Sequence, residues 1–216
     1  MSAKNYVVIE GVIGVGKTTL TGILADAWSA SAVKEIVEEN PFLEDFYRDR
    51  RRFAFQTQIT FLLSRYQQQQ QLLQRDIFSP RVVSDYLFQK DRIFANVNLD
   101  DKELTLYERL FPILERDVPV PDLVVYLQAS TDVLLRRIAK RGRSFEKDMD
   151  VGYLRALNEA YNYFFFHYDA TPLLVVETNA LDFVAQEDQR RDLVERIEEH
   201  PGGTVYYRPL AEEDNR

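Results

Sequence analysis

Residues 11–18, Gly11-Val12-Ile13-Gly14-Val15-Gly16-Lys17-Thr18, fit the pattern G-x-x-x-x-G-K-[ST] without a gap. The chemistry this pattern serves is polyphosphate binding. Glycines let the backbone curl tightly enough to aim N–H groups at phosphate oxygens, and a helix opening behind them adds its positive end. On this reading Gly11, Gly14, Val15, Gly16 and Thr19 contribute backbone, the Lys17 ammonium reaches the β- and γ-phosphates, and the Thr18 hydroxyl sits on Mg²⁺. The motif predicts a bound nucleoside triphosphate and leaves the recipient of the phosphate open.

Other reactive side chains lie further along. Arg137, Arg141 and Arg143 follow R-x-x-x-R-x-R, with Glu146 just behind, in a chain whose net charge is -8. On a helix Arg137 and Arg141 share a face, which is either a solvated basic surface or a clamp for phosphate. Glu38 and Glu39 stand where a second strand would end. A carboxylate there accepts a proton from an attacking hydroxyl, or is only a solvated strand end. Gln56 sits early in a long helix and is either a reader of a base edge or a partly exposed helix residue. Asp85 closes a third strand, opposite Thr18, and is placed to help hold Mg²⁺ or its water shell.

These groups need a scaffold, and the hydrophobic pattern supplies one. Apolar, β-branched runs at 6–10, 33–38, 81–84, 122–128 and 173–177 predict five strands. Helical periodicity predicts helices at 17–29, 53–75, 87–96, 101–117, 131–141, 151–168 and 183–200, with Thr131 as the N-cap of the 131–141 helix. Residues 204–210 read as a short tail. Strands that are apolar throughout and alternate with helices indicate a parallel sheet covered on both faces. The expected class is α/β: a five-stranded parallel sheet flanked by helices, formed as one domain over residues 1–216 with no linker and no internal repeat.

Composition narrows the partners. The 216 residues are 45% hydrophobic and 29% charged, as in ordinary globular chains. The acidic balance argues against nucleic acid or anionic membrane as a partner, and no apolar run approaches ~20 residues. Cysteine is absent and only two histidines occur, which excludes disulfides, thiolate sites and cysteine nucleophiles. The N-terminus lacks a signal-peptide layout, so a cytoplasmic location is expected.

Together the segments IEGVIGVGKTTL, EENPF, FQT followed by LSR, SDY with DRIFA, YLQAS, RRIAKRGR with FE behind it, and ETNALDF resemble the deoxynucleoside kinase family over nearly the whole chain. The likeness is strongest to its bacterial deoxyadenosine/deoxyguanosine kinase branch. The resemblance implies a P-loop kinase fold with an arginine-rich lid at about 137–150, ATP as donor with Mg²⁺, a deoxynucleoside as acceptor, and a homodimer through the 53–75 and 101–117 helices. It also implies roles. Glu39 is the general base for the 5′-hydroxyl, with Glu38 as second choice. Tyr47 and Glu146 meet the 3′-hydroxyl, and Gln56 reads the base beside Asp91. Phe55, with Phe88 or Phe94, packs on the base. Arg137, Arg141 and Arg143 close over the donor phosphates, and Asp182-Phe183 meets the donor adenine.

One departure stands out. Where the family carries an acid-arginine-serine triplet, this chain has Asp85-Tyr86-Leu87, so Arg92 or Lys90 must replace the arginine. A thymidylate-type nucleoside monophosphate kinase shares the P-loop and lid but needs an arginine there for its acceptor phosphate. A P-loop regulatory ATPase or GTP switch is a third reading. The N-K-x-D signature of GTP selectivity is missing.

Overall fold

In the computed structural model, which describes residues 4–73, 81–143, 146 and 149–209, the β-branched runs lie side by side as β1 (Tyr6–Gly11), β2 (Ser31–Val33), β3 (Val82–Ser84), β4 (Leu123–Gln128), β5 (Leu173–Glu177) and β6 (Thr204–Tyr207). All neighbours pair in parallel, in the order β2-β3-β1-β4-β5-β6. Val7, Val8, Ile9, Leu123, Val124 and Val125 have no exposed surface. Consecutive strand residues point to opposite faces, so burial of every one shows that helices cover both sides.

The helices are α1 (Lys17–Trp28), α2 (Leu43–Arg48), α3 (Arg50–Leu73), α4 (Lys90–Asn98), α5 (Asp101–Glu115), α6 (Thr131–Arg141), α7 (Val151–Phe166) and α8 (Glu187–Glu198). Their ends follow local chemistry. Asp100 caps α5 by accepting the N–H groups of Lys102 and Glu103, and Glu103 returns a bond to the Asp100 N–H. Gly142 ends α6 at φ 70, a conformation open to glycine. Ser130, one residue before the expected Thr131, caps α6 by accepting the Val133 N–H.

Three expectations need correction. The sheet has six strands, not five. Residues 204–207 pair with β5, with Val205 and Tyr207 turned inward and the Tyr207 hydroxyl donating to Asp192. Four residues directly after Pro201-Gly202-Gly203 are too short a run for alternation to register. The second strand stops at Val33, because it is an edge strand with a single neighbour. Residues 34–37 continue outside the sheet, and Glu38 and Glu39 fall in a turn. Finally, the long helix starts at Arg50, behind the separate short α2; residues 74–75 of its expected span lie outside the described residues.

This topology positions the site. β1 sits between β3 and β4, where the order of connections reverses. Ligands of open α/β sheets bind at the carboxyl ends of the strands at such a point.

Candidate active site

The P-loop leaves the carboxyl end of β1. Gly14 and Gly16 hold φ 86 and φ 112, conformations that side chains rarely adopt. At Gly14 a Cβ would also meet Ile138 Cγ1 at 2.6 Å, so α6 packs directly on the loop. Gly16 precedes α1 and offers no side-chain cap, which leaves the helix N–H groups facing the loop. Lys17 Nζ folds back to donate to the Gly11 carbonyl at 2.6 Å. Thr18 Oγ1 donates to Asp85 Oδ2 at 2.6 Å, and the other carboxylate oxygen of Asp85 accepts the Glu35 N–H at 2.7 Å.

Two hollows meet at this loop. One, about 690 Å³, is a cleft bordered by Gly14–Thr19, the α6 basic residues and the Asn179–Ala185 loop, including Asp182 and Phe183. The other, about 400 Å³, opens between α3, α7 and the 34–38 segment. Lys17, Thr18, Arg141 and Arg143 border both. A group held in one hollow therefore faces a group held in the other across Lys17 and Thr18.

The second hollow is lined from α3 by Ala54, Thr57, Gln58, Phe61 and Arg65, spaced as one face of a helix. At its inner end Gln58 Nε2 donates to Asp91 Oδ1 at 2.6 Å and to the Asp91 carbonyl at 2.9 Å. Arg65 Nη1 donates to Asp91 Oδ2, and the Tyr107 hydroxyl donates to Oδ1 at 2.8 Å. Asp91 is fully buried behind these side chains, away from the hollow itself. It orients the amide and guanidinium that do line the hollow.

Between that end and the P-loop stands Glu35. Its Oε1 accepts Arg65 Nε at 2.7 Å, and its Oε2 accepts Lys90 Nζ at 2.7 Å. Burial alone would raise its pKa, but Lys90 and Arg65 hold it well below the ordinary carboxylate range. An ionised carboxylate thus lies within the hollow on the residue whose amide is tied to Asp85. It can orient a hydroxyl and take its proton.

Near the mouth, Glu146 is buried and receives the Arg141 guanidinium in a fork, Nη2 to Oε1 at 2.5 Å and Nε to Oε2 at 3.2 Å. Arg143 reaches Glu38 at 2.9 Å. Tyr47 borders the same end, and burial pushes its hydroxyl pKa up. Arg137 takes another course. It donates to the Val15 carbonyl at 3.0 Å and to the Thr178 hydroxyl and carbonyl at 3.0 and 2.7 Å, so it braces the P-loop against the end of β5. Arg136 and Lys140, which motif reading passed over, border the donor-side cleft. Residues 144, 145, 147 and 148 of the expected lid lie outside the described residues.

Several expected positions move. Glu39 is exposed and does not border either hollow, because the turn after residue 37 carries it outward. Glu35 is the carboxylate that lines the hollow beside Lys17 and Thr18. Val33, Glu35 and Val37 turn inward as in an extended chain, which hydropathy does not signal, because the inward set includes a glutamate and Ile36 faces out. Gln56 is exposed and Phe55 lies off the hollow, since both sit round the helix from the face of Ala54, Thr57, Gln58 and Phe61. Gln58, two residues on, does line the hollow, and the lining phenylalanines are Phe46, Phe61 and Phe94. Phe88 stacks on Phe111 in the core at 5.3 Å. Of the two candidates for the missing arginine, Lys90 is inside with Glu35, whereas Arg92 pairs with Glu108 on the surface.

Known proteins resemble this chain in sequence and in fold. A family model described as deoxynucleoside kinase matches residues 7–201. A deoxyguanosine kinase of Bacillus subtilis is 33% identical over 204 residues, covering 92% of this chain and 99% of that protein. A deoxyadenosine kinase of Lactobacillus acidophilus is 33% identical over 209 residues, covering 89% and 94%. Among solved structures, the deoxyadenosine kinase from M. mycoides with bound dATP superposes with a TM-score of 0.76 at 28% identity, covering 89% of this chain and 98% of that one.

Proposed function

The chain belongs to the deoxynucleoside kinase family, and from that premise we propose that it transfers the γ-phosphate of ATP to the 5′-hydroxyl of deoxyadenosine or deoxyguanosine. The observation that carries this reading is the junction of the two hollows at Lys17 and Thr18, with ionised Glu35 beside it. Polyphosphate lies along the P-loop, and the nucleoside fills the hollow of about 400 Å³, a volume within the range of small-molecule sites.

In this arrangement Gln58 and Arg65 meet the base: the Gln58 Nε2 stays tied to Asp91, so its Oε1 is offered to the base as an acceptor, and Arg65 offers donors. Phe61 and Phe94 flank the ring. Tyr47 and Glu146 face the sugar 3′-side. Glu35 holds the 5′-hydroxyl and accepts its proton as the bond to phosphorus forms. Lys90 keeps Glu35 ionised, in place of the family arginine. Phosphoryl transfer needs in-line positioning and charge stabilisation more than covalent help. Lys17, the P-loop N–H groups, Arg141 and Arg143 supply the charge, and arginine suits the task because it stays protonated and grips phosphate oxygens in pairs. Arg141 must exchange Glu146 for phosphate as donor binds.

Mg²⁺ fits the donor set. Thr18 and Asp85 are hard oxygen ligands 2.6 Å apart at the phosphate end. Among the described residues no group of three or more His, Cys, Asp or Glu could hold a metal ion, so phosphates and waters complete the shell. When bound, Mg²⁺ supplies neutralisation of the β- and γ-phosphate oxygens.

The similar deoxyguanosine kinase of Bacillus subtilis and deoxyadenosine kinase of Lactobacillus acidophilus support the purine preference. Coupled ADP release with deoxyadenosine, deoxyguanosine, deoxycytidine, thymidine and dTMP tests the proposal. Turnover should be fastest on a purine deoxynucleoside. No turnover on any nucleoside refutes it, and faster turnover of dTMP moves the chain to the monophosphate kinases.

The enzyme is further proposed to be a homodimer and cytoplasmic. Leu106, Leu110 and Ile113 recur along one exposed face of α5, and α3, which packs on α5, exposes Leu63. Among the described residues no helix is long and apolar enough to cross a membrane. Fractionation of cells producing the chain tests the location; recovery in the membrane fraction contradicts it.

A further inference from the structure

Glu10, near the end of β1, has no exposed surface, yet no step described above uses it. Its Oε1 accepts the Gly11 N–H at 2.9 Å and the Tyr161 hydroxyl at 3.3 Å; its Oε2 accepts the Leu87 N–H at 2.7 Å. Backbone amides can donate but not accept, so each oxygen of the carboxyl group must act as acceptor, which fits the anion. Burial pushes its pKa up, and Lys90 and Lys17 oppose that push. Isolated buried carboxylates are costly. This one is fully engaged by three different parts of the chain.

The parts it joins all belong to the site. Gly11 opens the P-loop, and its carbonyl receives Lys17. The Leu87 amide lies between Asp85, which holds Thr18, and Lys90, which holds Glu35. Tyr161 borders the acceptor hollow. Gly11 is paired with Leu127 of β4 so closely that a Cβ would meet the Leu127 carbonyl oxygen at 2.4 Å. The Glu10 carboxylate therefore refers the 85–90 segment to a fixed point.

We propose that Glu10 is a positioning residue. It clamps the P-loop to the segment bearing Asp85 and Lys90, and so keeps donor phosphate and acceptor hydroxyl at a constant separation. The proposal rests on the kinase reading above.

Two substitutions test it. Glu10→Gln keeps the shape but sets an NH₂ group against one of the two backbone amides. Glu10→Asp keeps the charge but shortens the reach. Each should lower kcat about ten- to hundredfold through misalignment, with KM for the deoxynucleoside unchanged within about threefold. A purely structural role would instead lower the melting temperature and the fraction of active sites, counted by active-site titration, and leave kcat per active site intact. That outcome overturns the proposal. So does full kcat in Glu10→Asp, which would show that charge alone suffices. Should neither variant fold, hydrogen exchange in the unmodified chain decides: the Gly11 and Leu87 amides should be strongly and equally protected with and without nucleotide, and rapid exchange at either overturns the clamp. The unmodified chain is assayed in parallel. If it is inert, the kinase reading fails; if it is active and the variants match it, only the role of Glu10 fails.

Discussion

Glu35 and Lys90 meet at 2.7 Å inside the acceptor hollow, although 55 residues separate them in the chain. One follows the end of edge strand β2 and the other opens α4. Arg65 from α3 binds the other oxygen of the same carboxylate. The segment after β2, α3 and α4 are thus tied at the point proposed above for the acceptor hydroxyl.

The Glu35–Lys90 pair should carry a pH-dependent share of stability. Removing one partner of a buried ion pair costs ~3–5 kcal/mol, and Lys90→Met should fall toward the lower end because Arg65 remains. The folded-state pKa of Glu35 is depressed. Its contribution is therefore fully present above the unfolded pKa of about 4.3 and is lost as pH falls through the folded value. Urea unfolding of both proteins should show a gap at neutral pH that narrows below ~pH 4.3. A gap that widens on acidification contradicts the assignment.

Base reading should separate two glutamines one helical half-turn apart. Gln58→Ala leaves Asp91 without its amide partner and should weaken deoxynucleoside binding about tenfold or more. Gln56→Ala, on the exposed face, should stay within about twofold. Calorimetric titration with deoxyadenosine and deoxyguanosine checks both. Equal losses would put the base elsewhere.

Arg141→Ala should lower kcat by more than about tenfold while raising KM for the deoxynucleoside far less. Its partner Glu146 stays within the acceptor hollow, so a modest acceptor effect is expected. Steady-state kinetics varied in both substrates would show the split. A loss confined to acceptor KM would deny the guanidinium its donor-side task.

The exposed α5 face gives a prediction independent of catalysis. A double change, Leu110→Glu with Ile113→Glu, should yield a folded monomer by light scattering where the unmodified chain runs as a dimer. An unmodified chain that is monomeric removes this proposal.

Much of the architecture was legible in the sequence, and its failures share one cause. Long apolar runs such as 122–128 and 173–177 announce themselves, because burial on both faces leaves no polar interruption. The P-loop is equally plain, since its glycines and lysine are consecutive. Edges are harder to see. β2 and β6 have one neighbour each, so three or four residues suffice to form them. Once β2 was drawn too long, the inward carboxylate was expected at Glu39, four residues past Glu35, which lines the hollow. Gln56 was expected to line it and Gln58 does, because the FQT motif does not mark which face of α3 is buried. The spacing of Ala54, Thr57, Gln58, Phe61 and Arg65 does. Pairings across the fold, such as Arg65 with Asp91 or Glu10 with Leu87, depend on crossovers and leave no local trace.

The central claim is that Glu35 activates the acceptor hydroxyl at the junction of the two hollows. Single-turnover phosphoryl transfer from ATP to a saturating purine deoxynucleoside tests it most directly, comparing the unmodified chain with Glu35→Gln and Glu39→Gln. Glu35→Gln should be slower by ~10²-fold or more, with nucleotide binding retained, and Glu39→Gln should transfer at nearly the unmodified rate. A fast Glu35→Gln alongside a slow Glu39→Gln would contradict the account and return the proton acceptor to the turn.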